Sequence, residues 1–345
     1  MTTEVRGGPT GSAKPATLYD VAALAGVSHQ TVSRVVKGQT NIRMDLRERV
    51  EEAIEALKYK PNLAARSLAT SRAHRIGALV YEILEVGPTK IMQGASAGAR
   101  EAGYLLDIVS LDPRDHRAIE QAIALINQNE LAGILVFAPT DPVIRALEKV
   151  EFTVPVYVET EANERINSSE PTPNELGMRA LVDHLSDLGH QRFFHISGPL
   201  EWLAARGRLR GYEKELERFG HTSLGSIEGN WTSESGYDAA MRMPLDGVTA
   251  IVVGNDQMSL GVIAALQDRG IRVPEDVSVV GFDDIPESRY FRPSLTTVRL
   301  DFDKQGRIAI GRLLDMIDPK TVAEPQAPLR PELLVRDSSG PAPRR

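Results

Sequence analysis

Residues 17–38 read TLYDVAALAGVSHQTVSRVVKG and carry two short helical patterns separated by a glycine. Thr17 precedes the first pattern and Asp20 stands three residues later, which is an acidic variant of the capping box. Gly26 predicts the end of the first helix, and Ser28 is placed to cap the second. Two helices joined across a tight turn predict a helix-turn-helix unit, whose second helix lies in the major groove of DNA.

The second of these helices is rich in side chains that donate hydrogen bonds. His29, Gln30 and Arg34 fall on one exposed face, and Arg and Gln can form paired hydrogen bonds with guanine and adenine respectively. The hydroxyl groups of the unit are suited to phosphate contacts: Thr17, Ser28, Thr31 and Ser33. A polar helix face is usually just a solvated surface. The glycine turn, the two caps and the local positive charge favour DNA reading instead.

The charge of the chain is unevenly distributed. Residues 1–75 hold 12 Lys and Arg against 7 Asp and Glu, although the whole chain has a net charge of −7. The remaining residues are therefore strongly acidic, and we expect only the N-terminal part to face a polyanion. A third helical pattern with Leu46, Val50 and Ile54 on one face completes a three-helix bundle that ends before Pro61.

The composition of the 345 residues is that of a soluble globular protein with two or three domains, since 42% are hydrophobic and 25% charged. The sequence contains no apolar run long enough to span a membrane. The absence of Cys excludes disulfides and thiolate metal sites, which fits a cytoplasmic, nucleoid-associated protein. We expect no metal and no cofactor. Residues 1–15 lack the apolar core of a signal peptide and are expected to be a disordered lead.

From residue 76 onward, short apolar runs alternate with helical patterns, which predicts doubly wound parallel sheets in two lobes that face each other across a cleft. The predicted strands are IGALVYEI, YLLDIVSL, AGILVFAP, VPVYVE, RFFHISG, AIVVGND, SVVGFDD and TTVRLD. The predicted helices cover 90–102, 115–128, 174–188, 204–219, 234–243, 257–269 and 303–317. Ligands of such folds bind beyond the carboxyl ends of the strands.

These segments together resemble the lac/gal repressor (LacI/GalR) family. The likeness rests on residues 17–38 and continues, in order, through YKPNLAARSLA, AGILV, LGHQRF, GNDQMSLG, VSVVGFDD and PSLTTV. It implies an α/β protein with a three-helix headpiece, a hinge helix and a two-lobed core similar to periplasmic sugar-binding proteins. The implied boundaries are a lead (1–15), the helix-turn-helix domain (16–61), hinge helix and linker (62–75), the core N-terminal lobe (76–171 and 302–335), the core C-terminal lobe (172–301) and a tail (336–345).

The segment that begins at Asn62 carries a helical pattern too short to be stable alone in water. In the family, this hinge helix folds on operator DNA and a Leu wedges into the minor groove. The resemblance implies that role for Leu68, with Asn62 and Ala65 on the same helix. A buried anchor is the alternative for Leu68, but its neighbours offer no apolar surface for it to join.

The resemblance also implies an effector site between the lobes. In the family, an Arg, an Asn and an Asp bind sugar hydroxyl groups, a Trp stacks on the ring, and apolar side chains complete the wall. The matching residues are Ile91, Glu159, Arg208, Trp231, Asn255, Asp283 and Phe302. A single polar side chain at a strand end is as often a loop fastener as a ligand contact. The full set favours a small galactoside-like pyranoside.

Several positions depart from the family members that the chain resembles most. His29 replaces an aromatic residue with a hydroxyl group, and Arg43 replaces a Ser that caps the third helix. Phe137 and Leu300 replace amide side chains, and Glu159 replaces an Asp. The operator and part of the effector wall are therefore expected to be particular to this chain.

The sequence thus predicts a sequence-specific repressor whose operator affinity is controlled by a sugar. We expect a homodimer, because the C-terminal PELLVRDSSGPAPRR is too short and too rich in Pro and Gly for a tetramerising helix. Two alternatives stay open: a regulator of this type with a different or non-sugar effector, and a sugar-binding protein without a regulatory role. An enzyme is the least supported class, because the sequence lacks the common nucleophile, phosphate-binding and zinc-protease motifs.

Overall fold

The computed structural model describes residues 16–36, 41–59, 73–81, 86–112, 115–137, 140–159, 171–319 and 328–344. The chain divides into two compact units, residues 1–73 and 74–345. The lead and the three hinge-helix residues, Asn62, Ala65 and Leu68, lie outside the described residues. Their roles therefore stay predictions.

The first unit contains three helices: α1 (Leu18–Ala25), α2 (His29–Val36) and α3 (Met44–Ala56). The predicted capping box of α1 is confirmed, because the Asp20 backbone N–H donates to Thr17 Oγ1 (3.3 Å) and the Thr17 N–H donates to the Asp20 carboxylate (2.7 Å). Gly26 ends α1 with a left-handed φ of 61°. The Ser28 cap is confirmed as well, since its Oγ accepts from the Thr31 N–H at 3.2 Å.

A small apolar core fixes α2 against its neighbours. Val21, Val32 and Val50, one from each helix, are fully buried in it. Burying a Val side chain contributes about 1.5–3 kcal/mol, so these contacts outweigh the weak propensity of such short helices. The Arg49 guanidinium donates to the carbonyls of Ala25 and Gly26, which ties α3 to the turn before α2.

The second unit begins with a four-stranded parallel sheet. Its strands are β1 (Arg75–Tyr81), β2 (Leu105–Leu111), β3 (Gly133–Phe137) and β4 (Val156–Val158), in the order β2-β1-β3-β4. Helices α4 (Val86–Glu101) and α11 (Phe302–Ile317) cover one face, and α5 (His116–Asn127) and α6 (Asp141–Leu147) cover the other. This sheet with its helices is called the N-terminal lobe below.

A second parallel sheet repeats the same topology. Its strands are β5 (Arg192–Ser197), β6 (Thr222–Glu228), β7 (Ala250–Val253) and β8 (Ser278–Val280), in the order β6-β5-β7-β8. Its helices are α7 (Pro173–Asp187), α8 (Leu203–Phe219), α9 (Ser233–Arg242) and α10 (Asp256–Asp268). With this C-terminal lobe the predicted class is confirmed: an α/β protein in which a helix-turn-helix unit precedes, along the chain, a two-lobed core of doubly wound parallel sheets.

The end of the chain packs on the C-terminal lobe. Strand β10 (Glu332–Leu334) pairs antiparallel with β9 (Thr297–Arg299). Ser338, in the predicted tail, accepts a hydrogen bond from the Val279 N–H (2.8 Å) and donates its hydroxyl to the Val279 carbonyl (2.6 Å). A short 3₁₀ helix covers Ser288–Tyr290. The sequence patterns did not predict β6, β10 or α6.

Candidate nucleic-acid interface and candidate ligand cleft

Helix α2 separates apolar and polar side chains cleanly. Val32 and Val35 are buried against α1 and α3, whereas His29, Gln30 and Arg34 are exposed. Among the predicted phosphate-contacting hydroxyl groups, Ser28 and Thr31 bond each other at 3.0 Å, and Thr17 serves the cap of α1. Ser33 is half-buried on α2. The polar face of α2 is thus presented to solvent.

A neighbouring ring and a backbone carbonyl restrict two of these exposed side chains. The His29 ring lies 5.4 Å from the Tyr19 ring, centroid to centroid, and Arg34 Nη2 donates to the Asn41 carbonyl at 3.1 Å. Tyr19 is 69% exposed and belongs to the same surface, which the sequence pattern does not indicate. An exposed aromatic residue beside a polar face is the signal that could have identified it. Leu18, which was selected, packs partly on the core of the unit.

The core contains a cleft between its two lobes, at the carboxyl ends of both sheets. The cleft encloses an empty volume of about 980 Å³, part of which is open to solvent. The structure brings all the predicted effector residues together on its walls: Ile91, Glu159, Arg208, Trp231, Asn255, Asp283 and Phe302. A cleft lined by apolar side chains and a few convergent polar groups is the kind of place in which proteins bind small organic ligands.

The guanidinium group of Arg208 is held in the cleft by three hydrogen bonds and an aromatic ring. Its Nε donates to Asn174 Oδ1 (2.7 Å), its Nη2 donates to Asp283 Oδ1 (2.8 Å), and its Nη1 donates to the Gly254 carbonyl. The guanidinium carbon lies 3.9 Å from the centroid of the Phe282 ring. Arg carries five N–H donors, so this arrangement fixes the guanidinium and leaves donors for a ligand.

Asp283 is buried beside Arg208. Burial raises the pKa of Asp283 above its ordinary value, and the charge and hydrogen bond of Arg208 act against that rise. Its Oδ2 accepts no hydrogen bond from the described residues. A ligand hydroxyl placed between the two side chains could therefore donate to Asp283 and accept from Arg208.

The backbone is strained around this pair. Asp283 has a φ of 106°, Asp284 a φ of 48° and Trp231 a φ of 72°, all in the left-handed region that non-glycine residues rarely adopt. Each such residue costs about 1–3 kcal/mol and persists where the surroundings fix it. Asp284 is held by Arg299 (2.8 Å) and Arg336 (2.5 Å). The strain therefore coincides with the candidate binding residues.

Trp231 lies against the end of β5 because residue 198 is a glycine. A Cβ atom on Gly198 would lie 2.1 Å from the Trp231 ring, so no larger residue fits there without moving the indole. The Arg208 guanidinium carbon lies 5.4 Å from the centroid of that ring. The indole thus forms a fixed aromatic surface next to the Arg208–Asp283 pair.

Asn255 has a structural role that is evident from its contacts. Its Oδ1 caps α10 by accepting from the Met258 N–H at 2.9 Å. Its Nδ2 donates to the Trp231 carbonyl and to Gln257 Oε1, both at 3.0 Å. Both amide hydrogens are thereby used, so Asn255 can serve a ligand only as an acceptor.

The opposite wall, formed by the N-terminal lobe, is mainly apolar. Phe137 lines it at the end of β3. Leu300 and Phe302 line the cleft where β9 leads into α11, and they pack in the core of the C-terminal lobe. Each of the three side chains is 6% exposed. The polar side chains of this wall are Glu159 and Gln305, and Gln305 Nε2 donates to Glu159 Oε1 at 3.1 Å. The cleft also contains residues that the sequence patterns do not indicate, among them Asn174, Trp202 and Gln305. The sequence alone gives no signal for these side chains, because only the folded chain brings them to the cleft.

One ion pair joins the two lobes at the rim of the cleft. Arg206 of α8 donates from Nη1 and Nη2 to the two carboxylate oxygens of Asp141 on α6, at 3.2 and 2.9 Å. An isolated antiparallel bridge between Thr140 and Trp202 lies beside it. Because each contact has one partner in each lobe, both depend on the distance between the lobes.

Among the helices of the described residues, none is long and apolar enough to cross a membrane. Within the same part of the chain, no group of three or more His, Asp or Glu side chains is arranged to hold a metal ion.

Comparison with known proteins identifies both units. Residues 17–62 match the family of bacterial regulatory proteins of the lacI type, and residues 182–339 match a periplasmic binding protein-like domain. The lactose operon repressor of Escherichia coli (strain K12) is 34% identical over 96% of this chain and 92% of its own length. The ribose operon repressor of the same strain is 32% identical over 94% of this chain and 100% of its own length.

A solved structure of the lac repressor dimer, bound to operator and the anti-inducer ONPF, superimposes with a TM-score of 0.78. It is 33% identical and covers 95% of this chain and 100% of its own. These relatives are repressors rather than enzymes. The chain therefore belongs to the lacI family of bacterial regulatory proteins and is a DNA-binding transcriptional repressor under the control of an effector.

Proposed function

We propose that the effector of this repressor is a small sugar, a galactoside-like pyranoside, bound in the cleft between the lobes. The observation that carries the proposal is the buried Arg208–Asp283 pair beside the fixed Trp231 ring. A guanidinium and a carboxylate side by side suit neighbouring hydroxyl groups, and an indole suits the C–H face of a pyranose ring. A purine would instead call for stacked aromatic rings and fewer partners for hydroxyl groups.

The operator is read, in this proposal, by the exposed face of α2. Gln30 and Arg34 contact base edges, and His29 at the neighbouring position gives the chain its own sequence preference. The hydroxyl groups of Thr17, Ser28, Thr31 and Ser33, together with Leu18, complete the contacts, mostly to phosphates. The hinge residues Asn62, Ala65 and Leu68 add a minor-groove contact. Two headpieces of a homodimer then bind a two-fold symmetric operator in the cytoplasm.

Effector and operator are coupled through lobe closure. A ligand that bridges the two walls favours a closed core, and the Asp141–Arg206 ion pair, with one partner in each lobe, adds to the stability of the lobe separation at which it forms. By linkage, the factor by which effector changes operator affinity equals the factor by which operator changes effector affinity. Any coupling obeys this equality, so what the proposal requires is a factor that differs from one in both titrations.

The decisive experiment measures operator and effector binding with the full chain. We expect a symmetric operator, selected from random duplexes, to bind with an affinity that falls steeply with salt. Galactosides, glucosides, ribose and purines are then tested in the same gel shift and by thermal shift, because a bound ligand raises apparent stability. Failure to select any symmetric site would contradict the operator reading, and a response to purines alone would contradict the sugar assignment.

A further inference from the structure

We infer that Asp256, which lies behind the wall of the cleft rather than on it, is a positioning residue of the effector site. It clamps the strained turn that carries Asp283 and so holds the Asp283 carboxylate against Arg208. The inference rests on the proposed sugar effector, because Asp283 is one of the groups proposed to bind it. Asp256 is the first residue of α10 and is fully buried.

Asp256 binds both ends of the strained turn. Its backbone N–H donates to the Phe282 carbonyl at 2.9 Å, and its Oδ2 accepts from the Ile285 N–H at 3.0 Å. Between these two residues stand Asp283 and Asp284, which both have a left-handed φ. Strained residues persist only where their surroundings fix them. One residue thus fixes the chain immediately before and immediately after the strained pair.

The same carboxylate ties the turn to two further elements. Asp256 Oδ2 also accepts from the hydroxyl group of Ser288, in the 3₁₀ helix, at 2.5 Å. Its Oδ1 accepts from the hydroxyl group of Thr297, at the start of β9, at 2.6 Å. Both hydroxyl-bearing residues are fully buried. Three donors therefore converge on one carboxylate and hold the turn, the 3₁₀ helix and β9 in a single arrangement.

The chain accommodates this carboxylate at a cost. A Cβ atom on Gly281 would lie 2.4 Å from Asp256 Oδ1, so the chain after β8 can pass this close only because residue 281 has no side chain. Burial raises the pKa of Asp256 to about 7, and the hydrogen bonds from Ser288 and Thr297 act against that rise. Because a buried carboxylate loses its hydration, we assign it the fixing of a geometry rather than a gain in net stability.

The geometry that Asp256 fixes is that of the effector site. Asp283 Oδ1 accepts from Arg208 Nη2 at 2.8 Å only while the turn points the carboxylate into the cleft. Without the clamp, Asp283 and Asp284 are free to relax toward ordinary φ values. A ligand would then have to order the turn again as it binds, which weakens its affinity.

The test compares Asp256→Ala with Asp256→Asn in the full chain. Ala leaves all three donors without an acceptor, whereas Asn keeps an oxygen for Ile285 and Ser288 and offers an amide N–H to the Thr297 hydroxyl. The probe is methyl β-galactoside or methyl β-glucoside, whichever binds the unmodified protein more tightly, and Trp fluorescence follows binding because Trp202 and Trp231 line the cleft. We expect Asp256→Ala to weaken the probe at least about tenfold and Asp256→Asn to stay within about threefold of the unmodified protein. Equal affinities of the two variants would overturn the inference.

Three further variants separate positioning from general destabilisation. Ser288→Ala removes one donor from Asp256, and we expect it to weaken the probe about threefold. Its matched control is Ser278→Ala, at a fully buried residue on β8 that bonds Gly340 instead, which should leave the affinity unchanged. Leu266→Ala, at a fully buried residue near the other end of α10, should lower the urea midpoint without weakening the probe. If it weakens the probe as much as Asp256→Ala does, the inference is wrong.

Crystal structures of the unmodified protein and of Asp256→Ala test the positioning without any ligand. We expect Asp283 and Asp284 to leave the left-handed region in the variant and the contact between Asp283 and Arg208 to be lost. An unchanged turn would contradict the inference. If neither pyranoside binds the unmodified protein, the proposed effector is wrong, and the two structures still decide the role of Asp256. If Asp256→Ala does not fold, Ser288→Ala and Ser278→Ala are compared in the same way.

Discussion

The main polar side chains of helix α2 are exposed, whereas those of the effector cleft are buried. On α2, His29, Gln30 and Arg34 are exposed, whereas in the cleft Arg208 and Asp283 are buried and bonded to each other. DNA is a large partner that supplies many contacts, so its readers can remain in water until they bind. A small ligand supplies few contacts, so the groups that bind it have to be fixed beforehand. Substitutions in the cleft should therefore affect both stability and binding, and those on α2 should affect mainly binding.

The largest effect is expected for Arg208→Ala. The substitution leaves the buried Asp283 carboxylate without its counter-ion, which lowers the free energy of unfolding of the core by about 3–5 kcal/mol and abolishes effector binding. Urea unfolding followed by the fluorescence of the two cleft Trp residues measures the first effect, and ligand titration measures the second. Arg210→Ala is the control, because Arg210 is half-exposed and its partner Glu175 keeps Lys214 nearby. Equal losses of unfolding free energy in Arg208→Ala and Arg210→Ala would contradict the expected difference between a buried and an exposed ion pair.

A second effect concerns the buried His195, which contrasts with the exposed His29. Its Nδ1 lies 2.8 Å from the Val252 carbonyl, and its buried Nε2 has no partner among the described residues. Full burial lowers the pKa of His195 to about 4, from an ordinary value near 6.5. Between these values the unfolded chain binds a proton that the folded chain does not. The neutral, buried His195 therefore contributes its full stabilisation above pH 6.5. About 3 kcal/mol of the free energy of unfolding is lost as the pH falls toward 4.

The measurement compares the free energies of unfolding in urea of the wild type and His195→Phe between about pH 6.5 and pH 4. We expect the wild type to lose about 3 kcal/mol more than the variant. Burial also raises the pKa of Asp256 to about 7, with the opposite consequence over the same range. That contribution is common to both proteins and cancels in the difference. If the unfolding free energies of the two proteins changed in parallel with pH, His195 would bind its proton as readily in the folded core as in the unfolded chain. That result would contradict the lowered pKa.

The contrast also explains which features the sequence could predict. The caps at Thr17 and Ser28 and the turn at Gly26 depend on interactions within three residues, so the local pattern contains them. Strand β6 reads TSLGSIE, lies at the edge of its sheet and has no fully buried residue. It therefore lacks the apolar run by which the other strands of that sheet were found. Helix α6 has seven residues, too few for its period to be recognised.

The cleft was predictable only in part. Family resemblance, rather than periodicity, supplied the positions of its seven candidate residues. Asn174 was not found because its bond to Arg208 joins residues 34 positions apart, and only the folded chain shows that contact. The apolar character of two lining residues could be predicted, because Phe137 and Leu300 stand where family members have amide side chains. The pairing of Glu159 with Gln305 could be found only in the structure. Long-range contacts of this kind leave no local pattern in one sequence.

A third effect is expected on α2 itself. Gln30→Ala and Arg34→Ala should each weaken binding to the selected operator by about 1–3 kcal/mol and relax base preference locally, because each removes a base-edge contact. The unfolding free energy of Gln30→Ala should stay within about 0.5 kcal/mol of the wild type, since the side chain is exposed. Arg34→Ala should lose about 0.5–1.5 kcal/mol, because it also removes the hydrogen bond to the Asn41 carbonyl. Gel shifts with single-base operator variants measure the preference, and Glu52→Gln on the exposed face of α3 is the control. A uniform loss on all sequences would instead assign the residue to a phosphate.

The smallest effect on effector binding is expected at the rim of the cleft, where a paired set of side chains is partly exposed to water. Arg206 and Asp141 are paired as in the cleft, yet their side chains are 30% and 46% exposed. Water screens such a pair, so its coupling should be below about 1 kcal/mol. A double-mutant cycle with Asp141→Asn and Arg206→Met measures it in effector titrations. We expect a few-fold weakening in each single variant and little more in the double variant, because either change removes the same contact between the lobes. Additive losses would mean that the two residues act separately and that lobe closure does not depend on their contact.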